Sequence, residues 1–308
     1  MESLPIFYTS WLAILTIIIL GFILGKLKIV NANASKVLAN LLLDVAMPCA
    51  LFIAFPSSFD AQALDLFLKA IVGGLAMMLT AIVVSRFLFK PNKNRYPYYQ
   101  HQFAFIFNNA SFLGYPLTLA IFGPESMIAY SGLMIVFNLA LFSYGVWLFE
   151  QQLTWKHIKQ IFFNPNILAV LLGLIFFLNS FSLSLFAQQA IGYLANLTTP
   201  LSLIVVGFML SQVPNLWLII KKKRIFITAA LQLLLMPALT YLVMRLLQMP
   251  TQICQIFTMI QALPTATSLA LFAEKYHGDR QDASELVLMS TILSALTLPL
   301  VMTVVFLI

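Results

Sequence analysis

Charge is what this sequence has least of: Lys, Arg, Asp and Glu make up 9% of its 308 residues, against 61% hydrophobic ones, and the mean hydropathy is +0.96. So little polar surface cannot cover a soluble globule of this length, and the composition is that of a polytopic membrane protein. Acids are scarcer than bases, 10 against 17, giving a formal net charge of +7. The basic residues sit in short clusters between apolar runs, as in cytoplasmic loops, so no nucleic-acid partner is expected. Cysteine is limited to Cys49 and Cys254, both within apolar segments and without ligand spacing, which excludes a disulfide framework and a zinc site. With no HExxH, no GxSxG and no paired intramembrane acids, an enzyme is not expected, nor a metal or cofactor. No Ser/Gly linker or long charge run marks a soluble domain. The start, "MESLPIFYTSWLAILTIIILGFILG", has an acid where a signal peptide would have bases and no small-residue cleavage site, so it reads as a retained first span.

What is there is a series of apolar runs. A helix needs about 20 apolar residues to cross the hydrocarbon, which marks spans near 8–25, 35–55, 66–89, 99–122, 127–149, 165–181, 187–211, 224–246, 252–274 and 285–307. The basic residues test this count. Lys26, Lys28 and Lys36 fall between spans 1 and 2, Arg86, Lys90, Lys93 and Arg95 between 3 and 4, and Lys156 and Lys159 between 5 and 6. "KKKR", Lys221 to Arg224, lies between 7 and 8, and Lys275 and Arg280 between 9 and 10. Only Lys69 and Arg245 fall on the other side, so both termini are expected outside the cytoplasm of a multi-pass cell-membrane protein. "KKKR" reads as a topology determinant, with docking of anionic membrane lipid the alternative. Tyr8, Trp11, Tyr96, Tyr98, Tyr99 and Trp155 fall near span ends, where interface anchors sit.

The two halves of the chain, 1–150 and 151–308, can be laid on each other. "LLLDVAMPCALFIAF" in span 2 resembles "YLANLTTPLSLIVVGF" in span 7, pairing Pro48 with Pro200 and Asp44 with Asn196, while spans 4 and 9 carry Pro116 and Pro264. Five spans per half force the second half to enter from the opposite face. The expected fold is therefore all-α: ten transmembrane helices as two inverted five-helix repeats, the arrangement of many secondary transporters. Proline removes a donor and glycine accepts conformations other residues avoid, so "LGYP" should unwind span 4 and "QALPTATS" span 9. Beyond each break a half-helix would start, with Pro116 or Pro264 in its first turn and its free N–H groups and positive dipole end turned inward. Two such ends make an anion site, to which Asn109, Ser111, Thr265, Thr267 and Ser268 would add hydrogen bonds; the alternative is a pair of packing kinks.

Other polar residues are open to two readings. Asp44, the one acid deep within a span and roughly 14 Å from its cytoplasmic end, is either a proton-coupling group beside the substrate path or a neutral carboxyl hydrogen-bonded between helices. Asn138, Gln232 and Gln261 either face the cavity or link helices. His101, His157 and His277 lie near span ends and read as solvated. A channel is the lesser class, since no TVGYG filter is present.

"NNASFLGYPL", Asn108 to Leu117, resembles the "GNxxFLGxPL" element of the auxin efflux carrier family, and "LPTATSLALFAEKYHGD" is similar to its counterpart in the second half. With "VAMPCALF" and the ten spans, the resemblance covers essentially the whole chain. It implies that broken helices 4 and 9 cross and that transport is elevator-like. Helices 1, 2, 6 and 7 would form a scaffold that mediates a homodimer, and helices 3–5 and 8–10 would move. It also implies substrates such as auxin or small carboxylates like malate and malonate. The family motif falls on Asn109, Gly114, Pro116 and Pro264, while Asn108 stands where glycine is usual and Ser268 where asparagine is frequent. The short segment "EQQLTWKHIKQIFFN" between spans 5 and 6 is similar to bacterial carriers. The expected function is a proton-coupled carrier of a small organic anion, binding it through Asn108, Asn109, Ser111, Gly114, Pro116, Asn138, Gln261, Pro264, Thr265, Thr267 and Ser268; a carrier of an amino acid or another neutral metabolite is the alternative.

Overall fold

The computed structural model of the chain describes residues 3–90, 97–212 and 222–308. Lys93, Arg95, Tyr96 and Lys221 lie outside the described residues. Helix dominates the described chain, as an apolar medium requires of backbone that must satisfy its own polar groups, and no strand occurs among the described residues beyond one isolated bridge. In order the helices are α1 (Ser3–Lys26), α2 (Ala32–Phe52), α3 (Ala61–Leu88), α4 (Tyr98–Ile106), α5 (Ala110–Phe122), α6 (Pro124–Glu150), α7 (Trp155–Phe162), α8 (Pro165–Leu178), α9 (Leu185–Ser211), α10 (Lys223–Leu246), α11 (Thr251–Gln261), α12 (Ser268–Lys275) and α13 (Arg280–Leu307). Among the described residues seven of these, α1, α2, α3, α6, α9, α10 and α13, are long and apolar enough to cross a membrane. Helix α8 is apolar but shorter, and the stretches expected as spans 4 and 9 are each divided in two.

Proline explains where several helices deform. The ring lacks an N–H and crowds the carbonyl four residues back. Widening the turn before it to i→i+5 relieves both, and such π turns cover Leu42–Ala46 before Pro48, Ala110–Gly114 before Pro116 and Leu231–Leu235 before Pro237. A fourth, Leu141–Gly145, has no proline after it. The expectation that "LGYP" unwinds span 4 is therefore corrected. That stretch stays helical because the π turn absorbs Pro116, and the break lies earlier, at 107–109. In the second half the break spans 262–267, so Pro264 sits within it and not in the first turn of α12.

Helices α1 and α9 pack most closely. A Cβ on Gly207 would run into the Ile18 carbonyl oxygen, so only glycine allows this approach. Helix α4 is held differently, inside a nest of aromatic rings. Phe103 packs against Phe107, Phe149 and Phe272, and Phe107 against Phe137, which ties α4 to α6 and α12.

The interfacial reading of two histidines is also corrected. His101 is 2% exposed, with Nδ1 2.6 Å from the Thr228 hydroxyl and Nε2 3.5 Å from Asp282, and Gln100 beside it exchanges two hydrogen bonds with the Asp279 backbone. His157 is buried at the start of α7 against Thr154, Glu150 and Tyr276. Distant partners cover His101, whereas His157 is enclosed by its own neighbours Thr154 and Glu150 together with the distant Tyr276. Trp11 is buried as well, while Tyr8 and Trp155 are exposed as anchors should be.

Candidate functional site

The two breaks meet. Asn108 and Thr265 form an antiparallel bridge, in which the Asn109 N–H donates to the Pro264 carbonyl (2.7 Å) and the Ala266 N–H to the Phe107 carbonyl (2.8 Å). Backbone freed by one interruption is thus satisfied by the other, as the cost of an unpaired buried amide demands. Proline suits this arrangement, because Pro264 has a carbonyl to offer and no N–H to strand.

Side chains complete the accounting. On α10, Gln232 donates Nε2–H to the Leu263 carbonyl (2.8 Å) and accepts from the Thr265 hydroxyl (3.0 Å), which also lies 3.3 Å from the Ala104 carbonyl. On α13, Ser290 accepts the Thr265 N–H (3.0 Å) and donates to Val287. On α6, the Tyr130 hydroxyl donates to the Ala110 carbonyl at the first residue of α5. Asn108 donates Nδ2–H to Gln261 Oε1 (2.9 Å), leaving Asn108 Oδ1 and Gln261 Nε2 buried without partners.

Free N–H groups remain at each half-helix start. Those of Ser111 and Phe112 in α5, and of Thr267 and Ser268 around the start of α12, have no acceptor among the described residues. These differ in part from the groups the sequence suggested, since the Thr265 and Ala266 N–H groups are taken by Ser290 and Phe107. Ser111, Thr267 and Ser268 are only partly buried, whereas Phe112 is 6% exposed. Ser268 Oγ has no partner among the described residues. The Asn109 amide, 3% exposed, makes no side-chain hydrogen bond among the described residues, even though Asn109 caps the π turn. The result is a set of donors without acceptors, and no basic side chain hydrogen-bonds within it.

The other expected residues are distributed as follows. Gly114 and Pro116 lie buried in α5, where Gly114 faces Leu263 and Tyr130. Asn138 turns back on its own helix, donating to Met134, and no hydrogen bond brings it to the breaks. Asp44 sits in the π turn of α2, exposed on the surface of the chain, with no hydrogen bond or ion pair among the described residues. Tyr130 and Ser290 were not singled out from the sequence. Each acts through one hydroxyl on an unremarkable helix, and only its spatial partner marks it.

A half-open cavity of about 300 Å³ lies elsewhere, between the end of α2 and helices α8 and α9, lined by Phe52, Phe55, Phe176 and Phe181. It holds no charged group, and the breaks, with their unpaired donors, are the better candidate.

Comparison with known proteins gives the family. The sequence profile of the family described as membrane transport protein matches residues 6–158 and 151–302. The chain is also 25% identical over 302 residues to an uncharacterized transporter of Methanothermobacter thermautotrophicus strain Delta H, covering 94% of this chain and 95% of that one. Two matched stretches that together span nearly the whole sequence, on a chain of long apolar helices, make this a multi-pass membrane transporter that belongs to the membrane transport protein family, the family of the auxin efflux carriers.

Proposed function

We propose that the protein is a secondary active carrier of a small organic anion, a mono- or dicarboxylate of malate or malonate size. The observation that carries this reading is the set of unpaired N–H groups at two half-helix starts pinned side by side. Each helix N-terminus presents about half a positive charge, so two together complement a carboxylate without a buried arginine or lysine. Asn109, Ser111 and Ser268 supply further hydrogen bonds.

Counting the divided stretches and α8 as crossings gives ten, five per half, with residues 1–150 and 151–308 inverted relative to each other in the cell membrane and both termini outside. The backbone bonds between the breaks make α4, α5, α11 and α12 move together, while the tight α1–α9 pair suits a fixed scaffold. This supports an elevator-type cycle in a homodimer, with surrounding lipid as the other partner. Asp44, accessible and unpaired, is the candidate coupling group for protons.

Counterflow of labelled malonate in proteoliposomes tests the class: exchange that accelerates with unlabelled malonate inside identifies a carrier, and a flux that never saturates would indicate a channel. In the same vesicles Asp44→Asn keeps exchange and loses uptake driven by a proton gradient, because the amide hydrogen-bonds but does not titrate. A variant that still accumulates malonate on a gradient would remove Asp44 from the coupling role.

A further inference from the structure

We infer that Gln232 is a positioning residue that holds the second break open, so that the α12 N-terminus presents its Thr267 and Ser268 N–H groups; this rests on the carrier reading above. The geometry is that of a clamp around Pro264. One carboxamide, 1% exposed, bonds the residue before the proline and the residue after it: Nε2–H to the Leu263 carbonyl and Oε1 from the Thr265 hydroxyl. Its orientation is fixed, since a carbonyl can only accept and a reversed amide would set oxygen against oxygen. Without this clamp Leu263 and Thr265 are free to turn into helical register with α11 and α12, and the free N–H groups vanish into the ladder.

Two further features make Gln232 more than a packing amide. It sits within the π turn Leu231–Leu235 of α10, where the widened turn ahead of Pro237 sets the side chain's direction. The device also has no counterpart among the described residues of the first half. There the break is held by Tyr130 from α6 and by backbone pairing to the second break. Asn138, on the same helix as Tyr130, bonds only Met134. The second break is therefore the fixed one, and the first takes its position from it.

The chemistry of a carboxyl group offers a test. A protonated Glu at this position has one O–H to donate to Leu263 and one C=O to accept from Thr265, matching the amide, whereas an ionised Glu has no donor and repels the Leu263 carbonyl. Gln232→Glu should therefore behave as wild type at acid pH and lose function as pH rises, while Gln232→Met is defective throughout. Neither direct partner of Gln232 titrates. Titratable groups on the helices packed against α10 are Asp65, Lys69 and Arg86 on α3, Tyr98, Tyr99 and His101 on α4, Cys254 on α11, and Arg280, Asp282 and Glu285 on α13, the last paired with Lys222. Wild type and Gln232→Met measured at every pH serve as controls for them.

Two readouts are made on purified, folded protein. Hydrogen exchange of peptides covering 262–268 reads the clamp without reference to substrate, and labelled malonate uptake reads the site. The expected result is an exchange rate altered at least tenfold in Gln232→Met, and an apparent malonate constant raised about tenfold with the maximal rate less affected. Gln232→Glu should cross from the first behaviour to the second with pH. If Gln232→Met does not fold, Gln232→Glu compared with itself across pH decides alone. Exchange and uptake in Gln232→Glu that do not depend on pH beyond wild type would overturn the inference. Failure of wild type to take up any carboxylate would instead overturn the carrier reading, and the exchange arm would still stand or fall by itself.

Discussion

At the scale of single residues, the candidate site is built from amides and hydroxyls, and their value lies in which are already occupied. Asn109 is among the free ones, with no side-chain partner among the described residues. Asn109→Ala should therefore strand nothing when it folds, and raise the apparent substrate constant about tenfold, the order expected for one hydrogen bond to a charged group. Saturation curves for malonate with melting temperatures alongside would check this. A variant with unchanged affinity would mean that the substrate binds elsewhere. Asn109 was legible in the sequence because it lies beside Gly114 and Pro116 in a recognisable string. Gln232 was visible only as a polar residue at membrane depth, with two roles open, and the direction of its amide settles which. Ser290 was not legible, since a serine in a helix ordinarily bonds its own backbone; here it does that, to Val287, and also accepts the Thr265 N–H.

Elements were read more securely than residues. All ten apolar stretches contain helix, and the ends of α2, α6, α9 and α10 fall within a few residues of expectation, because long apolar runs leave backbone no other way to pair its polar groups. The location of the first break was not legible. A proline before a helix start looks the same in sequence whether the chain unwinds there or widens into a π turn, and the choice depends on what stands opposite. Opposite Asn108 stands Thr265, so the chain opened at 107–109. Pro264→Ala acts at this scale. The new residue gains an N–H and loses the ring, so α11 can run on towards α12 and withdraw the Thr267 and Ser268 N–H groups. Maximal uptake should fall severely and not recover with more substrate, in contrast to Asn109→Ala. Recovery of full rate at high malonate would show that the break persists without proline.

For the whole molecule the distribution of charge makes the strongest statement. Lys69, an exception to the basic side, is paired with Asp65 at 2.6 Å, which neutralises it where it stands. The expected topology is tested with single cysteines in a background where Cys49 and Cys254 are replaced by alanine. A cysteine at Gln62 should react with an impermeant thiol reagent on intact cells, and one at exposed Ile29 should react only after lysis. The reverse pattern would invert the protein in its membrane.

The bridged breaks also set an order of events in biogenesis. Until Pro264 and Ala266 emerge from the ribosome, the Asn109 N–H and the Phe107 carbonyl have no partner, and at ordinary rates of synthesis that wait is on the order of ten seconds. Unpaired backbone in lipid costs several kcal/mol per group, so α4 and α5 are expected to take their final form only after the second break is made. Until then the first half would depend on other partners for these groups, such as water, the insertion machinery or a continuous helix through 107–109. A chain truncated between the two breaks would then be a substrate for quality control, and completion of the crossing is the step at which the nascent protein becomes safe to release.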